Sequence, residues 1–175
     1  MTRATRLFHC ASGTAAAEMA LVLPLLLALI CSCVELGNYF MDEHRLIKAV
    51  RDGARFAARQ DVSNFTGCSG NVTGQVLTDT QNVVMTGVLS GGDVSMPNIS
   101  TSNVTVSIVG CSTTAGGQNM LGIYSGIKNG SGTVVGAPIV NVSASVPYAP
   151  AMRAFGWNGS GLTLNASQQA AVMGW

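Results

Sequence analysis

The 175-residue chain is long enough for one compact domain plus an anchor. Hydrophobic residues make up 47% of it and charged residues 10%, well below the roughly 25% that is usual for soluble domains. The net charge of +1 gives no reason to expect a nucleic-acid partner. Beyond Gln60 the chain is rich in Asn, Ser, Thr and Gly, and its charged side chains are few: Asp61, Asp79, Asp93, Lys128 and Arg153. This composition is typical of an extracytoplasmic protein whose surface tolerates packing against copies of itself.

The N-terminal apolar segment has the length of a membrane span. Met19–Val34 carries no charge, and counting from Thr14 gives about 20 residues, enough to cross a hydrocarbon core of about 30 Å. The residues ahead of it include Arg3 and Arg6 and no acid. By the positive-inside rule, this charge bias predicts an N-terminus in the cytoplasm. We therefore expect a transmembrane helix over residues 14–36, with the rest of the chain outside the cytoplasm.

Two residues interrupt this apolar segment. At the centre of a membrane helix an acidic side chain costs about 2.5–3.5 kcal/mol. Glu18 lies near the end of the span, where the cost is lower but still calls for a partner. Alternatively, Glu18 is a solvated carboxylate at the headgroup boundary, where it favours the helix dipole. Pro24 lies mid-span, either as a kink that a membrane helix tolerates or as a point where the helix melts locally and lengthens or bends in a filament.

The helical pattern continues beyond the span. Apolar residues fall near one side of this second half: Tyr39, Phe40, Ile47, Val50, Ala54, Ala57 and Ala58. Asp52 lies within reach of Lys48 and Arg55 for surface ion pairs. Gly53 costs about 1 kcal/mol relative to Ala in a helix, so its presence indicates close packing. A continuous helix over residues 14–59 would be about 70 Å long.

The remaining sequence predicts a small α+β domain. Apolar residues recur at helical spacing over Gln75–Leu89, and Gly91-Gly92 follows as a stop signal. Three segments alternate apolar and polar residues, which predicts half-buried strands over residues 103–108, 140–146 and 162–165. Leu121–Ile127 is expected to add an irregular strand. A small antiparallel sheet packed on the end of the long helix is the expected architecture.

The five cysteines divide by position along the chain. Cys31 and Cys33 lie in the apolar span and are interpreted as small core residues. Cys68 and Cys111 lie beyond it, where an oxidising compartment favours a disulfide. The loop that this bond would close is long, so the chain-entropy model predicts stabilisation of about 4 kcal/mol. No His follows His44, which leaves too few ligands for a metal site, and we expect no metal and no cofactor.

One motif connects these features. Gly13, four further residues and then Glu18 precede the apolar helix, which is the cleavage pattern of type IV prepilins. Together with Leu23-Pro24-Leu25 and Arg51-Asp52-Gly53-Ala54-Arg55, the segment resembles the TadE-like family of minor pilins, or pseudopilins, of the tight-adherence (Tad) pilus. The resemblance covers roughly residues 13 to 59. It departs from the family at Met19, where the family often has Phe and the major pilins have Tyr.

The resemblance implies a set of sites and partners. A prepilin peptidase would cut between Gly13 and Thr14, leaving Glu18 as the fifth mature residue. In pilins the glutamate is thought to pair with the N-terminal amine of a neighbouring subunit, and a buried pair offsets desolvation only when both partners are present. The implied partners are the other minor and major pilins of the Tad system, the peptidase, the inner-membrane assembly platform and membrane lipid.

These observations together predict three segments. Residues 1–13 form a cytoplasmic leader peptide, residues 14–59 the long helix, and residues 60–175 an extracytoplasmic α+β domain. The predicted function is that of a minor pilin or pseudopilin of a Tad-type type IV pilus, anchored in the bacterial inner membrane and active in pilus assembly and surface adherence. The pilus tip, its shaft and the assembly machine are all compatible locations.

The sequence can also be compared with two other functional classes, an enzyme and an anchored envelope protein. Beyond Gln60 the chain has no His, no Glu and three scattered Asp, so it offers no His-based nucleophile–base pair and no carboxylate pair at a suitable spacing. Lys128 could in principle activate a Ser, but nothing in the sequence singles one out, and no enzymatic role is expected. The main alternative is a lipoprotein or single-span anchored envelope protein with no pilus role, because Ile30-Cys31-Ser32-Cys33 loosely resembles a lipobox. The mature N-terminus separates these hypotheses. It is Thr14 for a pseudopilin, a lipid-modified Cys33 for a lipoprotein, and Met1 for an uncleaved protein.

Overall fold

A computed structural model describes residues 11–65, 67–112, 114–115, 118–119, 133, 136–157, 159 and 161–174. A single long helix, α1 (Ala11–Ala58), comes first, and a second helix, α2 (Gln75–Thr86), follows it. The strands are β1 (Gly70–Asn71), β2 (Val104–Ser112), β3 (Thr114–Ala115), β4 (Gln118–Asn119), β5 (Ala137–Pro147) and β6 (Thr163–Ala171). The described residues between 61 and 174 form the head, which packs on the second half of α1. The predicted α+β fold is confirmed.

Helix α1 is continuous through Pro24 and about 70 Å long. Its side chains are exposed from Gly13 to Val34, and Glu35 is the first that the head buries. From there a buried stripe runs along one side of the helix, with an interval of seven residues after Glu35 and of three or four residues after that: Glu35, Asp42, Leu46, Val50, Ala54 and Ala57. The predicted apolar side is right for its last turns but wrong for Phe40 and Ile47, whose side chains are 50% and 36% exposed. They miss the stripe because its register is set by positions 35, 42 and 46.

The sheet packs one face on α1 and has the strand order β1-β2-β5-β6, all antiparallel. Cross-strand register places Val106 beside Val142 and Val146 beside Leu164 on the inner face. The outer face carries rows of uncharged polar side chains, such as Thr105–Ser143–Ser167 and Ser107–Asn141–Gln169. The polar sheet face comprises these six residues with Ser145 and Asn165. The alternation read from the sequence therefore gave the correct inward and outward sides for β2 and β5.

Helix α2 lies against α1 at Gly53. A Cβ on Gly53 would overlap Cγ2 of Val84, so the glycine allows the two helices to approach closely. The helix ends at Gly87, which adopts a left-handed conformation with φ of 78° and donates its N–H to Val83 O at 2.9 Å. The prediction that it extends to Leu89 and stops at Gly91-Gly92 is wrong. The chain provides a glycine one turn earlier, where the left-handed cap forms.

Other predicted strands differ in extent. The strand expected over residues 162–165 is β6, Thr163–Ala171, which starts one residue later and continues for six more. Residues 168–171 lie on the edge strand of the sheet, where Gln168 and Gln169 are both exposed, so the alternation of buried and exposed residues disappears. The expected irregular strand Leu121–Ile127 lies outside the described residues. Strands β1, β3 and β4 are two residues each, too short to show a pattern.

The last described residues close the head against the end of α1. Val172 is fully buried. Met173 donates its N–H to Ala58 O at 2.8 Å, and Gly174 forms an isolated parallel bridge with Asp61. The end of β6 is thus fixed beside the point where α1 gives way to the head.

Candidate functional site: the exposed apolar helix and its junction with the head

The first half of α1 is apolar on every side and uncovered. Large apolar side chains that are 45–79% exposed include Met19, Leu21, Val22, Leu23, Leu25, Leu26, Leu27, Leu29 and Ile30. A helix of this kind is stable only when lipid or other helices surround it. Among the described residues, α1 is the one helix long and apolar enough to cross a membrane. Gly13–Val34 spans about 33 Å, which matches the hydrocarbon core of a bilayer. Helix α1 therefore has the properties of a single-pass membrane anchor.

The predicted processing residues lie at the start of this segment. Gly13 and Thr14 are helical and exposed, and an added Cβ on Gly13 would meet nothing within 4 Å. The head packs only from Glu35 onward, about 30 Å further along the helix. The folded head therefore does not cover the Gly13–Thr14 bond.

Glu18 and Pro24 lie on the same uncovered segment. The Glu18 side chain is exposed and makes no hydrogen bond or ion pair with the part of the chain that the structure describes. Pro24 leaves α1 unbroken, although its nitrogen cannot donate to the carbonyl of Ala20. Among the described residues neither Glu18 nor Pro24 has a tertiary contact, so that part of the chain supplies no partner for the Glu18 carboxylate.

A different carboxylate is satisfied within the chain. Glu35 is 4% exposed, and its Oε1 accepts hydrogen bonds from Tyr148 Oη at 2.6 Å and from the N–H of Ala151 at 3.2 Å. Its Oε2 accepts from the N–H of Met152 at 2.9 Å. The two N–H groups belong to the first turn of the short 3-10 helix Ala151–Phe155. Glu35 thus ties the segment after β5 to α1 at the end of the exposed part of the helix.

Tyr148 completes this junction. Its hydroxyl donates to Glu35 and accepts from Asn38 Nδ2 at 2.9 Å, and its ring meets Tyr39 edge-on with centroids 5.2 Å apart. Burial, with the hydrogen bond to Glu35 as the next contribution, raises the pKa of Tyr148 to about 12. The Tyr148 hydroxyl therefore keeps its proton, and can donate it to Glu35, throughout the physiological pH range.

Sequence reasoning missed this junction. Glu35 and Tyr148 are 113 positions apart, and nothing local pairs them. The available signal was the position of Glu35, an acidic residue at the end of an apolar run, which needs a partner for the same physical reason as Glu18. Asp42, 6% exposed and bonded to Arg45 at 3.0 Å, was missed in the same way. The predicted ion pair of Asp52 with Arg55 is present, at 3.7 Å on the surface.

The cysteines separate as follows. Cys68 and Cys111 form the predicted disulfide, with Cα atoms 5.1 Å apart and 43 positions between them in sequence. It connects the segment before β1 to the end of β2. Cys31 and Cys33 are free and exposed on α1, so their interpretation as core residues is wrong within a single chain. Among the described residues no three His, Cys, Asp or Glu side chains form a group that could hold a metal.

Comparison with known proteins finds a match for one segment of the chain. Neither a curated protein nor a solved structure matches the chain. A family model, described as TadE-like protein, matches residues 13–55. The match covers the exposed apolar half of α1, with Gly13 and Glu18, and most of the half on which the head packs. Residues 13–55 are therefore a TadE-like segment, as their resemblance to that family indicated.

Proposed function

We propose that this chain is a minor pilin or pseudopilin of a Tad-type pilus. In this proposal residues 14–36 anchor it in the bacterial inner membrane, with the N-terminus in the cytoplasm and the head outside, and it takes part in pilus assembly and surface adherence. The observation that carries the proposal is the continuous apolar helix. It is uncovered from Gly13 to Val34, contains Glu18, and falls within the TadE-like match.

Assembly would use the parts of α1 that the head leaves free. After cleavage between Gly13 and Thr14, the new amine of one subunit would pair with the Glu18 carboxylate of a neighbour. Glu18 has no partner in the described part of its own chain, and an unpaired carboxylate in an apolar environment is costly. The pair would form only at one axial stagger of the two helices, so it would select the correct arrangement of subunits. The other minor and major pilins and the assembly platform are the proposed partners.

A structural role also fits the chemistry of the head. Beyond Gln60 the sequence has no His and no Glu, and its three Asp are scattered. Both buried carboxylates have hydrogen-bond donors: Glu35 accepts from Tyr148 of the head, and Asp42 accepts from Arg45 on the same helix. We therefore assign the chain no catalytic role.

Processing is the most direct test of this proposal. The full-length chain is expressed in a bacterium that carries a prepilin peptidase, and the intact mass of the membrane-extracted protein is measured. We expect a mature chain that starts at Thr14. Gly13→Phe should leave the full-length precursor in the membrane, because a bulky side chain blocks the cleavage position. Gly37→Phe is the matched control, since Gly37 lies on the same helix and has open space around it, and it should be processed normally.

Each alternative hypothesis predicts a different intact mass of the membrane-extracted protein. A chain that keeps Met1 contradicts processing, and a lipid-modified Cys33 at the N-terminus identifies a lipoprotein instead. If Gly13→Phe still yields a Thr14 start, the cleavage position does not depend on Gly13 and the assignment of the motif is wrong.

A further inference from the structure

A groove lies at the junction of α1 and the head, on the side of the head that faces the exposed half of α1. Leu36 and Tyr39 of α1 form one wall, and Met152, Trp157 and Leu162 form the other. Its volume is about 740 Å³. Leu36, Trp157 and Leu162 are 56%, 45% and 42% exposed. The polar groups behind it satisfy each other, since Tyr148 donates to Glu35, so the groove offers little to a polar ligand.

The groove is continuous with the apolar surface of the anchor. Its lining begins at Cys31 and Ser32, inside the uncovered segment, and continues past Leu36 into the head. A span that starts at Thr14 reaches the far side of a hydrocarbon core of about 30 Å near residue 34. Tyr39 then lies about 7 Å beyond that boundary, within the headgroup region. The groove therefore straddles the boundary between hydrocarbon and headgroups.

The side chains around the groove fit that depth. Trp and Tyr concentrate at membrane interfaces because each has a large apolar ring and one polar group. Arg153 lies in the 3-10 helix between Met152 and Trp157, is exposed, and makes no ion pair in the part of the chain that the structure describes. A guanidinium at this level is complementary to a lipid phosphate. The groove thus has apolar walls and aromatic rings, and an exposed cation follows the lining residue Met152 directly in the chain.

We propose that the groove holds an acyl chain of a membrane phospholipid, with Trp157 at the headgroup boundary and Arg153 beside the phosphate. The head is then seated on the membrane surface and does not swing freely on α1. This proposal rests on the membrane insertion of α1 but not on a role in a pilus. A lipid, unlike a second protein, is available to every inserted copy and reaches the groove sideways from the bilayer.

Tryptophan fluorescence tests this seat in the full-length chain. The chain has two tryptophans, so Trp175→Phe leaves Trp157 as the single reporter. The protein is reconstituted in phosphatidylethanolamine–phosphatidylglycerol vesicles at low protein density, and insertion is checked by flotation. Lipids brominated near the carboxyl end of the acyl chain should quench Trp157 several-fold more strongly than acrylamide does in the water phase. Adding Arg153→Gln should weaken the effect of phosphatidylglycerol content on this quenching.

The matched control moves the reporter to the opposite side of the head. In the Trp175→Phe chain, Trp157→Phe with Thr105→Trp places the single tryptophan on the polar sheet face, where Thr105 is exposed, and it should respond to acrylamide and not to brominated lipid. If the protein floats with the vesicles but Trp157 is quenched like the tryptophan of this control, the groove does not hold an acyl chain. If quenching by brominated lipid disappears as protein density rises, a second copy covers the groove and the lipid assignment is wrong. A chain that fails to float overturns the anchor and the seat together, whereas an unprocessed N-terminus overturns only the pilus proposal.

Discussion

Glu18 and Glu35 are two carboxylates at opposite ends of the same apolar helix segment, and their surroundings are opposite. Glu35 is buried and accepts three hydrogen bonds from the head. Glu18 is exposed and makes none with the described residues of its own chain. A carboxylate in an apolar environment is stable only with donors or a counter-charge. The carboxylate at one end of the segment is therefore satisfied by folding, and the one at the other end has no partner among the described residues.

At Glu18 we predict a defect in assembly without a defect in folding. Glu18→Ala should leave the chain inserted in the membrane, because removing a carboxylate from an apolar segment makes insertion easier. Leaving a neighbour's amine without its counter-charge costs about 3–5 kcal/mol, which lowers the association constant by a factor of about 150 to 4,000. Crosslinking and co-purification with the proposed pilin partners measure this loss. Asp52→Ala removes an exposed carboxylate from the same helix and serves as the control.

The outcome separates two roles of the carboxylate. If Glu18→Ala assembles like the wild type, Glu18 is a helix-start carboxylate and the pairing hypothesis should be abandoned. If the Cys68–Cys111 bond fails to form in the variant, the defect lies in folding and the assembly result does not support pairing.

For Tyr148 we predict a loss of stability at high pH. Its pKa is raised to about 12 in the folded chain from 10.0, so the unfolded chain releases this proton first as the pH rises. The contribution is fully present below pH 10 and is lost as the pH rises to about 12, with a total of about 2–3 kcal/mol. Chemical unfolding in detergent across this range measures the loss. Tyr148→Phe has no proton to lose, so its stability should lie closer to that of the wild type at pH 12 than at pH 8. If the difference in unfolding free energy between the wild type and Tyr148→Phe is the same at pH 8 and pH 12, the raised pKa of Tyr148 is contradicted.

Among the elements, the contact between α1 and α2 depends on one glycine. A Cβ at Gly53 would overlap Val84, which is 1% exposed. Gly53→Ala should therefore destabilise the head by about 1–3 kcal/mol through overpacking, despite the better helix propensity of Ala. Val84→Ala in the same chain should remove part of this penalty, which a double-mutant cycle of unfolding free energies would show.

An exposed glycine on the same helix provides the control. Gly37 has open space at its Cβ position, so Gly37→Ala should gain up to about 1 kcal/mol from propensity alone. Equal effects at both positions would mean that the close approach of the helices does not limit the side chain at 53.

The disulfide is the second constraint at this scale, since it ties the segment ahead of α2 to the end of β2. Replacing Cys68 and Cys111 together by Ser should lower the free energy of unfolding by about 4 kcal/mol, because the closed loop spans 43 positions. The shift in denaturation midpoint measures this, with Cys31→Ser, a free exposed cysteine, as the control. A shift no larger than that of the control would show that the bond contributes little to the stability of the head.

For the molecule as a whole, the sequence predicted the features that depend on local patterns of residues. The long helix, β2, β5 and the disulfide follow from periodicity and cysteine position, and the TadE-like segment follows from Gly13 and Glu18. The Glu35–Tyr148 junction could not be predicted, because it depends on how the segment after β5 returns to α1. The end of α2 was misplaced because three glycines compete for the cap and only packing selects Gly87. The length of β6 was underestimated because an edge strand has solvent on several sides and loses its alternation.

The polar sheet face has one further consequence, which concerns ionic strength. Its eight outward side chains are hydroxyls and amides without a formal charge, from Thr105 on β2 to Gln169 on β6. Added salt shortens the range of charge–charge forces to about 8 Å at physiological concentration, but this face has no charges for salt to screen. Contacts made through it would keep the same strength in fresh and in saline water. Encounters would proceed without long-range electrostatic attraction, and attachment through this face would depend on close fit and on the exchange of hydrogen bonds with water.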